Sequence, residues 1–91
     1  MVKNTIRISS ALLLNDNKDL LVVRKEKSAF FMLPGRKKKK DEDLIDTLLR
    51  ELNEELNLQF VGEDFSFLGT HETSAVNEKD TVVQGNIFLL N

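Results

Sequence analysis

The sequence predicts an α/β domain in which extended segments flank a single amphipathic helix. Two observations carry that reading: short apolar runs bounded by turn formers at both ends of the chain, and one central stretch where the apolar period switches to that of a helix. With 91 residues, 41% hydrophobic and 31% charged, the composition is that of one globular domain over residues 1–91. There is no cysteine, which excludes disulfides, a thiolate zinc site and a thiol nucleophile. The longest uninterrupted apolar stretch, 29–33, is far too short to span a bilayer, and Met1-Val2-Lys3-Asn4 does not open a signal peptide. A cytoplasmic protein without a membrane partner is expected.

The elements follow in order. Residues 5–14 carry Ile6, Ile8 and then an apolar run, and end in Asn15-Asp16-Asn17-Lys18, a cluster of turn formers. This predicts a strand and a turn, then a second strand over 20–24 and a short third at 30–33. Pro34 and Gly35 halt the third strand, and a loop is expected through the basic run that follows. From 42 to 56, Ile45, Leu48, Leu49, Leu52 and Leu56 fall on one helical stripe. Asp41 or Asp43 is placed to cap its start, and Asn57 sits where a left-handed residue commonly ends a helix. Phe60, Phe65, Phe67 and Leu68 suggest a long irregular strand, 74–80 a polar loop, and 81–90 a last strand rich in β-formers.

The charges are unevenly placed. Arg36 to Lys40 is an unbroken basic run, followed at once by Asp41, Glu42 and Asp43. On the helix, Glu51, Glu54 and Glu55 lie at i, i+3 and i+4, so their carboxylates share one face. Like charges at that spacing repel unless a cation compensates. A hard divalent ion such as Mg²⁺, which takes oxygen ligands, would do so. Taken alone, the spacing is more often that of a solvated acidic face, here steadied by Asp46–Arg50 and Arg50–Glu54 pairs.

A larger frame surrounds those glutamates. Glu42 is followed by seven residues and then by Arg50-Glu51-Leu52-Asn53-Glu54-Glu55-Leu56-Asn57-Leu58. Upstream stands Leu33-Pro34-Gly35-Arg36. In register and residue type, 33–58 resembles the signature of the Nudix hydrolases (MutT-like), with strands on both sides in that family's order. The resemblance implies an α/β/α sandwich with a mixed sheet and a loop-helix-loop motif. It implies hydrolysis of a pyrophosphate bond in a nucleoside diphosphate linked to another moiety, a nucleotide-type small-molecule substrate, with Mg²⁺ or Mn²⁺ as cofactor. Carried over residue by residue, Glu51, Glu54 and Glu55 resemble the metal ligands, and the backbone carbonyl of Gly35 can join them. Glu54, Glu51 and Arg50 are the implied catalytic residues. Glu42 and Arg50 resemble the pair that braces loop against helix. Arg36 and Lys37 are candidate phosphate contacts.

The chemistry agrees, because a pyrophosphate repels a water nucleophile until cations neutralise its oxygens. Three departures replace glycines common in the motif: Arg36, Asp41 and Asn57. Asn and Asp tolerate a left-handed backbone, whereas an arginine at 36 is strained if positive φ is required there, and its side chain would crowd the metal shell. An acidic residue is also common where Lys39 stands. These departures support an alternative, a catalytically weakened module that binds a nucleotide or a protein partner.

The basic run is read as a solvated loop rather than a nucleic-acid surface, since no aromatics interleave it. His71 is read as a surface residue, and Phe30 and Phe31 as core rather than as base-stacking rings. The sequence stops on an apolar strand, so a closing C-terminal helix is expected to be missing and a second copy to cover the exposed sheet face as a homodimer.

Overall fold

A computed structural model describes residues 4–24, 26–74 and 79–91. Residues 1–3, on which the reading of the N-terminal opening rests, and 75–78, inside the expected polar loop, lie outside the described residues. The elements are β1 (Asn4–Leu12), β2 (Gly35–Lys37), α1 (Leu44–Leu56), a 3₁₀ turn (Gly62–Asp64), β3 (Phe65–Ser74) and β4 (Thr81–Leu90). They form one mixed sheet in the order β2-β1-β4-β3. β1 and β4 are parallel; β2 on β1 and β3 on β4 are antiparallel.

β1 and β4 form where expected, and β4 lies between β1 and β3. The turn after β1 is held by Asn15, whose Oδ1 accepts from the backbone N–H groups of Asn17 and Asp19, both at 2.9 Å. The next two expected strands do not form. Segments 20–24 and 30–33 make only isolated bridges, Leu14 with Leu20 and Val23 with Met32. Neither joins the sheet, and Leu20, Leu21 and Val22 stay about 40% exposed. Phe30 and Phe31 share that segment and are 76% and 65% exposed, which overturns their assignment to the core. The Arg24 guanidinium instead lies 5.5 Å above the Phe31 ring.

The short strand comes later, inside the stretch read as a loop. Ala11 N–H donates to the Pro34 carbonyl at 2.9 Å and Lys38 N–H to the Arg7 carbonyl at 2.7 Å, so the chain is already laid along β1 on both sides of β2. Gly35 is what allows the approach. A Cβ there would sit 2.5 Å from Ser10 Oγ and 2.7 Å from the Ser9 carbonyl oxygen. Lysine side chains suit an exposed edge strand of this kind.

α1 begins at Leu44, two residues later than the apolar period suggests, with Asp43 as an extended N-cap whose side chain makes no capping hydrogen bond. Glu42 therefore precedes the helix. Leu48 and Leu52 are fully buried against Ala11, Leu13, Phe65 and Phe88, which places the core between the helix and one sheet face. Ser9 Oγ donates to the Leu44 carbonyl at 2.7 Å and pins the start of α1 over β1. The helix ends as expected at Asn57, with φ 55°; its N–H returns to Asn53 O, and that of Leu58 to Leu52 O.

β3 begins after the 3₁₀ turn rather than at Phe60, which packs edge-on against Phe65, ring centroids 5.5 Å apart. Its expected irregularity is a register shift between Phe67 and Gly69. His71 lies exposed on β3, opposite Gly85. The sheet face away from α1 presents the half-buried Ile6, Ile8, Val83 and Ile87. Among the described residues no helix is long and apolar enough to cross a membrane.

Candidate active site

Two arginine-centred constellations flank the exposed side of α1. The first joins the loop before the helix to its middle. Glu42 receives four donors: Arg50 Nη2 at 2.7 Å, Arg50 Nε at 3.2 Å, Thr47 Oγ1 at 2.9 Å and the Lys39 N–H at 3.0 Å. The two-point contact with Arg50, aided by Lys39 and Thr47, lowers the Glu42 carboxyl from 4.5 to about 2. The same bond to Glu42 raises the Arg50 guanidinium. Arg50 is thus committed to Glu42, with a longer reach of 3.7 Å to Glu54, and not to Asp46. Thr47 was not visible as a partner in the sequence. No motif marks it; its one hydroxyl hydrogen is shared between Glu42 Oε1 and the Asp43 carbonyl one turn back.

The second constellation sits on the turns that follow. Arg36, from β2, projects its guanidinium onto all three motif glutamates: Nε lies 2.7 Å from Glu51 Oε2, Nη1 3.3 Å from Glu54 Oε2 and Nη2 2.7 Å from Glu55 Oε1. The backbone of Arg36 is extended and hydrogen-bonded within the sheet, so the strain that a left-handed arginine would bring does not arise. The crowding does. Glu51 is buried, with 8% exposure, while Glu54 and Glu55 reach solvent. Burial raises the Glu51 carboxyl, opposed by Arg36 and reinforced by the neighbouring Glu55. No hydrogen bond is directed at Glu51 Oε2, although Arg36 Nε is close to it. The contact is one of charge rather than of aligned donor and acceptor.

Beside this cluster lies a groove of about 860 Å³, lined by Arg24, Met32, Arg36, Lys37, Glu51 and Glu55 among others. Its volume falls within the range of small-molecule sites. Lys37 opens onto it from the edge strand, next to Arg36. Gly35 lies in the same wall, on the side facing β1.

The residues fit a hard divalent metal in kind. Glu51, Glu54 and Glu55 are oxygen donors that reach one planar group, and the buried Glu51 Oε2 has no directed partner. As the side chains stand, they are spread around the guanidinium. Among the described residues no three acidic or histidine side chains form a metal-holding group.

The chain is an α/β domain with a mixed sheet and an acidic helix braced across its entry loop, and comparison with known proteins identifies its family. The family model for the NUDIX domain matches residues 5–89, and the chain belongs to that family. Its fold is that of the MutT structures. The chain superposes on the MutT protein from Methanosarcina mazei Go1 with TM-score 0.78 and 25% identity, covering 100% of this chain and 66% of that one. On the ORF135 protein of E. coli the TM-score is 0.77 at 20% identity, over 96% of this chain and 61% of that one. The Ap4A hydrolase of C. elegans gives 0.61 at 19% identity, over 100% and 70%. The chain therefore spans less than two thirds of the length of the E. coli protein. No match is found among the curated proteins.

Proposed function

We propose that this chain hydrolyses a pyrophosphate bond in a nucleoside diphosphate linked to another moiety, using Mg²⁺ or Mn²⁺. One observation carries the reading: three glutamates from successive turns of α1 meet a single cationic group at 2.7 to 3.3 Å, so one cation can be shared among them. Glu51, Glu54 and Glu55 would hold the metal, with the Gly35 carbonyl as a further oxygen. When bound, the metal neutralises phosphate oxygens and acidifies water.

The chain's own groups supply the rest. Arg50, held by Glu42, fixes the helix turn that carries Glu51 and Glu54 relative to the entry loop. Glu54 is the more exposed of those two and would accept a proton from water at the carboxylate cluster, beside the groove. Arg36 and Lys37 line that groove and offer cationic contacts to phosphate oxygens. Water's oxygen forms the new P–O bond, the bridging P–O bond breaks, and the departing phosphate keeps that electron pair.

The test is a nucleotide panel incubated with the 91-residue chain, with and without Mg²⁺. Release of phosphate or nucleoside monophosphate from a panel member only with metal is expected; turnover that ignores metal would overturn the reading. The guanidinium inside the carboxylate cluster favours a second reading, a catalytically weakened module that binds nucleotide. Calorimetry showing metal-independent nucleotide binding with no product would select it. Pairing of two copies over the sheet face carrying Ile6, Ile8, Val83 and Ile87 is checked by sedimentation, where a stable monomer would exclude it.

A further inference from the structure

We infer that Arg36 is the resident cation of the carboxylate cluster, and that a divalent metal reaches Glu51, Glu54 and Glu55 only by displacing its guanidinium. The inference rests on the proposed metal-dependent reading of this site. Three carboxylates at helical spacing repel one another, and a compensating cation is required for them to converge. In this molecule one side chain supplies it, with a nitrogen against each of the three glutamates. A guanidinium stays charged at any pH the protein meets, so the compensation does not titrate away.

The contact is built into the fold. Arg36 pairs with Ser9 across the sheet, and Gly35 beside it is seated against Ser9 and Ser10, so strand pairing holds the backbone in place. Only the side chain can leave. The guanidinium nitrogens stand 2.7 to 3.3 Å from the same carboxylate oxygens that a metal would take as ligands, so the two cations compete for one set of lone pairs and one space. Occupancy is therefore exclusive.

Glu51 supplies an independent sign that the guanidinium is not an ideal occupant. Its Oε2 is buried and faces Arg36 Nε at 2.7 Å without an aligned hydrogen bond. The fork donates hydrogen bonds to Glu54 and Glu55, whereas none is aligned on the buried Glu51 Oε2. A spherical ion has no such directional demand. The site consequently prefers metal at high concentration and the arginine at low, which sets a threshold for loading.

The experiment is a Mn²⁺ titration of the full chain, following the electron paramagnetic resonance signal of free Mn²⁺, in wild type, R36Q, R36K and K37Q. Removing the competitor in R36Q is expected to tighten Mn²⁺ binding by roughly tenfold or more, the scale of losing charge-assisted bonds. R36K keeps the charge without the fork and falls between. K37Q removes the adjacent charge, which touches none of the three glutamates, and gains about twofold or less by long-range field alone. Without metal R36Q melts below wild type, and Mn²⁺ raises its Tm by more. Should R36Q fail to fold, R36K against K37Q carries the same comparison. Equal affinities in wild type and the Arg36 variants, or equal gains from R36Q and K37Q, would overturn the inference while leaving metal-dependent hydrolysis standing. Absence of Mn²⁺ binding in every variant would overturn both. Tighter Mn²⁺ binding in R36Q, together with no metal-dependent product from wild type on any nucleotide, would uphold the displaced cation and reject the hydrolase reading.

Discussion

Glu42 and Glu51 belong to the same motif and each faces an arginine, yet their surroundings push them in opposite directions. Glu42 takes donors on both oxygens, and its carboxyl falls to about 2. Glu51 is buried on the helix with Arg36 near but misaligned, and its carboxyl rises. The first arrangement is closed and complete; the second has spare capacity. Proximity of an arginine is thus a poor guide to a carboxylate's state unless the donors point at it.

The largest effect expected from breaking that contrast is on turnover. E54Q, which removes one carboxylate from the cluster and leaves the Glu42 contacts intact, lowers kcat by roughly 10²–10⁴-fold, measured by product release at saturating metal. Circular dichroism should show the fold unchanged. G35A acts on the strand that delivers Arg36. The added methyl meets Ser9 and Ser10, and the domain loses about 1–3 kcal/mol by urea denaturation, more than any exposed substitution in β2.

A pH series sharpens the comparison of the two glutamates. Glu42 is lowered from 4.5 to about 2 on folding, so its stabilisation is complete above about pH 4.5 and is lost as pH falls toward 2. Glu51 has the opposite sign. Its raised carboxyl disfavours folding progressively as pH climbs through its titration. E42Q should lower Tm by a few degrees at neutral pH and flatten the acid limb; an unchanged acid limb would show that Glu42 is not its source. The smallest change is N57G, remote from both arginines. Because Asn57 adopts φ 55°, glycine there should add about 0.5 kcal/mol and alter neither metal binding nor the acid limb.

Much of this was legible in residue order because it is local. The stripe from Ile45 to Leu56 needs only the helical period, and Asn57 ends it by its own tolerance of a left-handed backbone. The acidic face of Glu51, Glu54 and Glu55 follows from the same geometry. What escaped depends on which strand finds a partner. Residues 20–24 have strand-forming composition, but β4 takes the place beside β1 and leaves them only isolated bridges. Gly35-Arg36-Lys37 looks like a loop in composition, yet the missing Cβ at Gly35 lets it lie against Ser9 and Ser10. That placement brings Arg36 to the glutamates, a contact no spacing rule encodes. Phe30 and Phe31 stay exposed for the same reason, since their burial requires a strand that does not form.

The position of β4 also dictates an order of events in time. The Glu42–Arg50 contact spans 8 residues, and the Arg36 contacts with Glu54 and Glu55 span 18 and 19. Asn86 Nδ2, by contrast, reaches the Ile8 carbonyl across 78 residues. Closing so long a loop is slow compared with winding a helix or joining neighbours. The helix and its acidic face can therefore be drafted early, while β1 waits for the strand that will make it an interior one. Until then the Ile6 and Ile8 backbone presents an unpaired edge. The interval before that pairing is when the chain is most exposed to wrong association.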